Sequence, residues 1–396
     1  IFFLWLMLNN WYIPINEDQT RFLYELSTKS DKFDFWALPK TVNTSAVVMV
    51  APGFQKEFEE TVQKIELPFK IINHDLSKSL YSQQAAKSVR SLVKNADFTK
   101  FLRFSEINAY LDVLASKYPD TVTVETVGTS FEGRDMKTIT ISNGDKRADK
   151  KVIFIDAGIH AREWIAPAAA VYIIYQLAEN AKANQHLFKN IDWKILPVVN
   201  PDGYEYTHTS DRFWRKTRQP NQRCVGTDGN RNFDFHWGEV GTSNSGCDDI
   251  YHGPNAFSEP ETRVVREIMK SVSDRCKMYL TLHSFGNYLL YPWGWTAALP
   301  STWRDIDEVA MAGANAISNS TGNRYRVGSS TNLLYPAAGG SDDYALGALK
   351  IPVAMTMELP SGGSGFDPHP SEILWMVKET WIGIEAMAKK VDEKYE

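Results

Sequence analysis

The residues of this chain best suited to chemistry are His160-Ala161-Arg162-Glu163 and, far downstream, His283-Ser284. Two imidazoles and one carboxylate can hold a catalytic zinc ion with its fourth position left to water. Zinc in such a set lowers the pKa of water enough to make a nucleophile near neutral pH. A further carboxylate, Glu358, is a candidate to take the proton. A single His after a strand is an ordinary polar residue. Two of them with Glu163 and Glu358 point to a zinc hydrolase.

Each of these residues follows an apolar run. His160 comes after residues 152–155 by a short turn containing Gly158, His283 after 278–282, and Glu358 after 353–357. Such runs read as strands buried on both faces. In open α/β sheets, sites form beyond the carboxyl ends of the strands. Residues 193–199 read as another strand, ending in the turn Asn200-Pro201-Asp202-Gly203. Helical periodicity starts at Ser105, with Ile107, Leu111 and Leu114, and recurs over 166–178, 303–317 and 373–390. Ser258-x-x-Glu261 reads as a capping box opening a helix through Lys270. The alternation predicts an α/β fold with a mixed, mostly parallel central sheet flanked by helices.

The N-terminal part differs. Residues 11–80 read as a small α+β unit, with β-type runs at 11–15, 46–50 and 69–72 and helical stretches at 17–28 and 56–64. It carries no cluster of potential metal ligands. Residues 81–100 are mostly polar and include Lys87, Arg90, Lys94 and Lys100. They read as a connecting segment open to a trypsin-like protease, or as a solvated helix face.

With 396 residues, 43% of them hydrophobic and 23% charged, the protein has room for a large domain and a small one, or for two or three of medium size. A net charge of -5 gives a nucleic-acid partner no electrostatic support. Residues 1–8 are wholly apolar but far too short to span a bilayer. They read as the tail of a signal peptide, so 1–10 is taken as a remnant, with a buried strand as the alternative. No later run is long enough for a membrane helix. None of Cys224, Cys247 and Cys276 has CxxC spacing, so a cysteine zinc site is not expected. Cys224 and Cys247 bracket a Gly/Asn/Asp-rich loop that a disulfide would staple, leaving Cys276 as a buried thiol. Sequons at Asn43 and Asn319 add slightly to an expectation of secretion.

The string His160-Ala161-Arg162-Glu163-Trp164-Ile165 resembles the first zinc motif of the metallocarboxypeptidases of the pancreatic A/B type. Phe213-Trp214-Arg215-Lys216-Thr217-Arg218, Asp228-Gly229-Asn230-Arg231-Asn232, Leu282-His283-Ser284, Tyr335 to Asp343 and Met357-Glu358-Leu359 match further motifs in order. The match runs from about Arg103 to the end, and the N-terminal part, including Asp34-Phe35-Trp36, resembles the family's propeptide. The resemblance implies an activation propeptide at 11–90 and a catalytic domain at 91–396, with cleavage after Arg90 and Lys87 or Lys94 as alternatives. It implies one zinc per chain on His160, Glu163 and His283. That set is the established one of carboxypeptidase A, so here it follows from the family. Asp228 would fix the His160 tautomer. Glu358 would be the general base, and Arg215 would stabilise the oxyanion. Asn230, Arg231 and Tyr335 would hold a terminal carboxylate. Arg162, Ser284 and Phe366 would meet the substrate.

Asp342 occupies the position at the base of the family's side-chain pocket, where an acidic residue goes with C-terminal Lys and Arg. Asp343 beside it leaves open which carboxylate faces the pocket, and Gly294 and Ser330 do not both match the B-type pattern. Phe285 replaces a frequent Tyr, and Pro360-Ser361-Gly362-Gly363 replaces a more usual charged stretch. The resemblance therefore implies a secreted, monomeric zymogen acting on peptide C-termini and activated by a trypsin-like protease. The alternatives are an A-type enzyme for apolar residues and a non-catalytic relative that binds C-terminal tails.

Overall fold

The β-type runs near the N-terminus form strands β1 (Leu8–Tyr12), β2 (Phe33–Ala37), β3 (Ala46–Val50) and β4 (Phe69–Asn73), ordered β2-β3-β1-β4 with antiparallel neighbours. Helices α1 (Glu17–Lys29) and α2 (Gln55–Lys64) accompany them. Tyr12, Leu23, Val48, Phe58 and Val62 make a core of their own. These elements come from a computed structural model that describes residues 8–29, 32–39, 41–73, 76, 96–221, 223–362 and 365–395. Residues 1–7 and the expected cleavage positions Lys87, Arg90 and Lys94 lie outside the described residues. Leu8, Asn9 and Asn10, expected to belong to a signal remnant, pair as strand β1. The protein divides into two compact units, Ile1–Val89 with Gly363–His369, and Arg90–Gly362 with Pro370–Glu396.

The second unit is built on eight strands: β5 (Val122–Thr129), β6 (Asp135–Ile141), β7 (Lys151–Ala157), β8 (Ile191–Leu196), β9 (Cys276–Ser284), β10 (Tyr288–Tyr291), β11 (Arg326–Ser329) and β12 (Val353–Leu359). Their order is β11-β10-β12-β9-β7-β8-β6-β5. The central run β12-β9-β7-β8 is parallel, β6 and β5 continue it antiparallel, and β10 opposes β12. This is the mixed α/β sheet expected. β7 is buried along its whole length, which explains why its sequence does not alternate. β8 stops at Leu196, three residues short of the expected end, because Pro197 has no N–H for the ladder.

The helices are α3 (Phe104–Lys117), α4 (Ile165–Ala178), α5 (Pro201–Thr209), α6 (Pro260–Val272), α7 (Trp303–Thr321), α8 (Ser330–Leu333), α9 (Ser341–Gly347) and α10 (Ile373–Lys394). α4 is apolar nearly all round and enclosed against the sheet and α10. α10 crosses α7 closely at Gly383, where an added Cβ would come within 2.8 Å of Ile317. The expected capping box is not formed. Pro260 takes the first helical position of α6, Glu259 is the N-cap but its carboxylate accepts the Thr217 and Ser258 hydroxyls rather than capping the helix, and the Glu261 carboxylate accepts the Phe131 N–H at 2.9 Å.

Candidate metal centre and active site

The turn after β7 has Gly158 at φ +68°, where a Cβ would meet Pro167 at 2.9 Å. Glycine is the residue that fits such a turn without strain. The turn leads to His160 and Glu163 just ahead of α4, with the Ala161 N–H held by the Arg215 carbonyl at 3.0 Å. His283 lies near the carboxyl end of β9, in register with Glu358 of the parallel neighbour β12. Strand register therefore brings together residues far apart in sequence.

His160 Nδ1 lies 2.8 Å from a Glu163 carboxylate oxygen and 3.1 Å from His283 Nδ1, which is 3.1 Å from the other Glu163 oxygen. His160 Nε2 faces Asp228 Oδ1 at 3.0 Å. A carboxylate only accepts, so Nε2 carries the proton and Nδ1 presents its lone pair to the cluster. All three residues are buried. Lone pairs from two rings and a carboxylate converging in a buried site fit a divalent cation, which would relieve their repulsion. Among the described residues no other group of His, Cys, Asp and Glu converges in this way. Burial pushes the Glu163 carboxyl up, but the two imidazoles outweigh it and hold it below the usual range. Burial works against charge on His283, and the Glu163 carboxylate overcomes it, pushing the imidazole up to about 9.

Asp228 is fully buried, and its second oxygen takes the Arg215 guanidinium at 2.8 and 3.2 Å. One carboxylate thus orients both a ring of the cluster and the neighbouring Arg. It also accepts the Asn230 N–H at 2.9 Å, starting the single turn Gly229–Arg231. Asn230 Oδ1 accepts the Ser341 N–H at 3.0 Å, tying this loop to α9. Arg231 uses Nε and Nη1 on the Gly241 and Asn230 carbonyls, at 2.9 and 2.8 Å. The disulfide Cys224–Cys247 closes the loop as expected, and the free Cys276 thiol is pushed up to about 12 by burial.

Glu358 Oε2 is shielded and finds no hydrogen-bond partner among the described residues. Burial, opposed by His283 and helped by the Glu163 charge, pushes this carboxyl up to about 8. A carboxyl near neutrality at the edge of a metal cluster is suited to moving a proton both ways.

The two adjacent aspartates prove different. Asp343 spends its carboxylate on the backbone N–H groups of Gly294, at 2.9 and 3.0 Å, and Trp295, at 3.1 Å. Asp342 accepts the Asp343 N–H at 3.0 Å and the Thr356 hydroxyl at 3.3 Å, and no cationic side chain among the described residues pairs with it. Burial raises both carboxyls, Asp343 further because of the Asp342 charge. Thr356 was not singled out in the sequence. Its signal was the spacing Thr356-x-Glu358, which places both on one face of a strand.

Of the remaining expected residues, Ser284 donates its backbone N–H to Glu163 at 3.1 Å. Arg162 is buried and turned toward the Phe213 carbonyl and Asp249. Tyr335, on the loop after α8, is 40% exposed. Phe366 falls in the first unit, its ring 5.2 Å from that of Trp36.

The family model described as zinc carboxypeptidase matches residues 107–383, and the one described as carboxypeptidase activation peptide matches 11–84. This chain belongs to the zinc carboxypeptidases. It is 45% identical over 303 residues to carboxypeptidase B of Astacus astacus, covering 76% of this protein and 99% of the relative. Identity to carboxypeptidase B of Helicoverpa zea is 40% over 406 residues, covering 98% and 94%. The crystal structure of carboxypeptidase A from Helicoverpa armigera matches with a TM-score of 0.91 and 32% identity, over 99% of both proteins. Relatives thus carry both the A and the B name. The zinc carboxypeptidase is an enzyme whose activation peptide implies release by proteolysis and whose substrates present a free carboxyl terminus.

Proposed function

We propose that this zinc carboxypeptidase is a secreted, monomeric zymogen that, once cleaved, removes lysine or arginine from peptide C-termini. The observation that carries the specificity is the division of labour between the two aspartates. Asp343 is consumed by backbone N–H groups, whereas Asp342 is buried with only a weak hydroxyl contact and a local N–H. A buried carboxylate gains most from a cation that also donates hydrogen bonds, which a C-terminal Lys or Arg supplies.

In the reaction, water adds to the scissile carbonyl and the C–N bond breaks. Zinc on His160, Glu163 and His283 would supply Lewis acidity, polarising the carbonyl and acidifying the water. Glu358 accepts the proton of the attacking water at its carboxylate and returns it to the leaving nitrogen. Arg215 faces the charge that develops on the carbonyl oxygen. Asp228 keeps His160 in the tautomer that leaves Nδ1 free for the metal. Asn230, Arg231 and Tyr335 hold the terminal carboxylate, which makes the enzyme an exopeptidase. Arg162 and Ser284 support substrate binding.

The proposed propeptide is 11–90 and the catalytic domain 91–396. The activation-peptide match at 11–84 and the division between the two compact units support this boundary. A trypsin-like protease would cut after Arg90, with Lys87 and Lys94 as alternatives; N-terminal sequencing after trypsin treatment should place the cut between Lys87 and Lys100, and a cut elsewhere rejects it. The disulfide and the exposed sequon residues Asn43 and Asn319 fit an oxidising, secretory route. Among the described residues no helix is long and apolar enough to cross a membrane. The decisive measurement compares kcat/KM on paired peptides ending in Arg and in Phe. Preference for Arg is expected; preference for Phe would establish the A-type reading instead. The non-catalytic reading loses its ground because the ligand set, Glu358 and Arg215 are all retained.

A further inference from the structure

One row below His283 and Glu358, a second set of polar side chains crosses the same face of the sheet. Asp156 of β7 is in register with Thr281 of β9, and Thr281 with Thr356 of β12. Registered residues on parallel neighbours share a face. Thr356 in turn donates to Asp342. The row Asp156, Thr281, Thr356 therefore ends on the carboxylate assigned to substrate specificity, with a second carboxyl at its far end.

Asp156 is 1% exposed, and its Oδ2 accepts the Tyr279 hydroxyl at 2.8 Å. Its Oδ1, Thr281 Oγ1 and Ser341 Oγ have no hydrogen-bond partner among the described residues. The Thr281 hydroxyl neighbours Asp156, and Ser341 neighbours Tyr279. Burial, aided by the charge of Asp342, pushes the Asp156 carboxyl up to about 6. A buried carboxyl with an unmatched oxygen is costly, and the other charged residue of this strand, Lys151, has the Asp392 carboxylate as its partner.

A carboxylate accepts and never donates, so it dictates the direction of every hydroxyl around it. The Tyr279 proton points at Asp156, and a Thr281 proton turned the same way leaves the Thr281 oxygen as an acceptor on its other side. We propose that Asp156 is a positioning residue for basic substrates, orienting the Thr281 and Tyr279 hydroxyls so that the pocket floor offers acceptors beside the Asp342 carboxylate. The N–H groups of a C-terminal Lys or Arg then meet a surface of lone pairs only. This inference rests on the basic-specificity reading.

The test uses the activated, zinc-loaded enzyme with peptides ending in Arg and in Phe. Asp156→Asn brings an amide that donates to Thr281 and reverses its hydroxyl. KM for the Arg peptide should rise about tenfold, the scale of one hydrogen bond to a charged group, with kcat little changed. KM for the Phe peptide should not move. Thr281→Val should reproduce the effect, and Thr281→Ser should restore wild-type KM; these two read the same link if Asp156→Asn does not fold. An equal change on both peptides, a fall in kcat alone, or an unmoved KM in Thr281→Val overturns the role of Asp156. If the wild type prefers Arg while the variants behave in that way, this inference alone fails. A wild type that prefers Phe defeats the basic-specificity reading and this inference with it.

Discussion

His283 and Glu358 stand side by side because β9 and β12 are parallel and in register, whereas Asp228, Asn230 and Arg231 are held by particular side-chain bonds in a long stretch between α5 and α6. Within that stretch the described residues form one short helical turn, Gly229–Arg231. The strand-end half of the site is backed by many ladder hydrogen bonds and a close-packed core. The loop half lacks such a ladder and is held by a disulfide, by scattered backbone bonds such as the Asp228 N–H to the Tyr251 carbonyl, and by the side chains of Asp228, Asn232, Lys216 and Asn221, the last two both donating to the Gly246 carbonyl. A frame of repeated backbone bonds tolerates loss of one side chain, because the remaining bonds still define the geometry. A loop held by scattered, individually placed contacts has less such redundancy.

The contrast can be broken in four ways. In the strand-end half, Glu358→Gln should lower kcat by about 10²–10⁴-fold while zinc content stays at one per protein molecule, because the carboxylate is lost without disturbing the ladder. Metal analysis and steady-state kinetics check both parts. Retained turnover would remove Glu358 from the base role.

In the loop half, replacing Cys224 and Cys247 together by Ser should cost about 3 kcal/mol of stability, the scale for closing a loop with sequence separation 23. Denaturant unfolding measures this, and a loss of kcat/KM should accompany it. Loss of stability with unchanged kcat/KM would show that the loop holds its residues without the staple.

Glu261 anchors the hairpin between β5 and β6 through the Phe131 N–H. Burial pushes its carboxyl up to about 7 against that hydrogen bond, with Glu259 and Asp202 adding to the rise. The folded protein therefore keeps a proton that the unfolded one has already lost. The stabilisation from Glu261 is complete below its ordinary range near 4.5 and declines as pH rises through about 7. Glu261→Gln mimics the protonated form. Its stability relative to wild type should be near zero at pH 4 and grow toward roughly 3 kcal/mol at pH 8. Urea midpoints of both proteins across that range decide it, since the zinc site contributes equally to each.

Asp228→Asn should weaken zinc about 10–100-fold, as seen when the partner of a metal-bound histidine is altered. Chelator competition reads it. An unchanged zinc affinity would mean that packing alone orients His160, and that the loop half needs its single contacts less than the strand-end comparison implies.

Much of the strand-end half was legible in the sequence because strands announce themselves. An apolar run followed by His160, His283 or Glu358 says that a polar group leaves a buried strand at its end. The disulfide was legible from its bracketing of a Gly/Asn/Asp-rich loop. Three things were not. The Ser258 capping box failed because Pro260 claimed the first helical position and Glu261 found the Phe131 N–H, a partner remote in sequence. The end of β8 was misplaced because apolar character outlasted the ladder that Pro197 interrupts. The assignment of Asp342 and Asp343 was open because neighbouring residues of one type carry the same pattern.

Residue types and their order alone pointed to the family and to the α/β alternation, and through the family to the proposed ligand set, since these depend on local motifs and on periodicity along the backbone. Tertiary structure decided which aspartate is spent on backbone N–H groups and which lies beside Thr356. It also decided that Asp156, Thr281 and Thr356 form one row. Those relations depend on which strands are neighbours and in what register, and register is a property of the folded sheet that no single segment encodes.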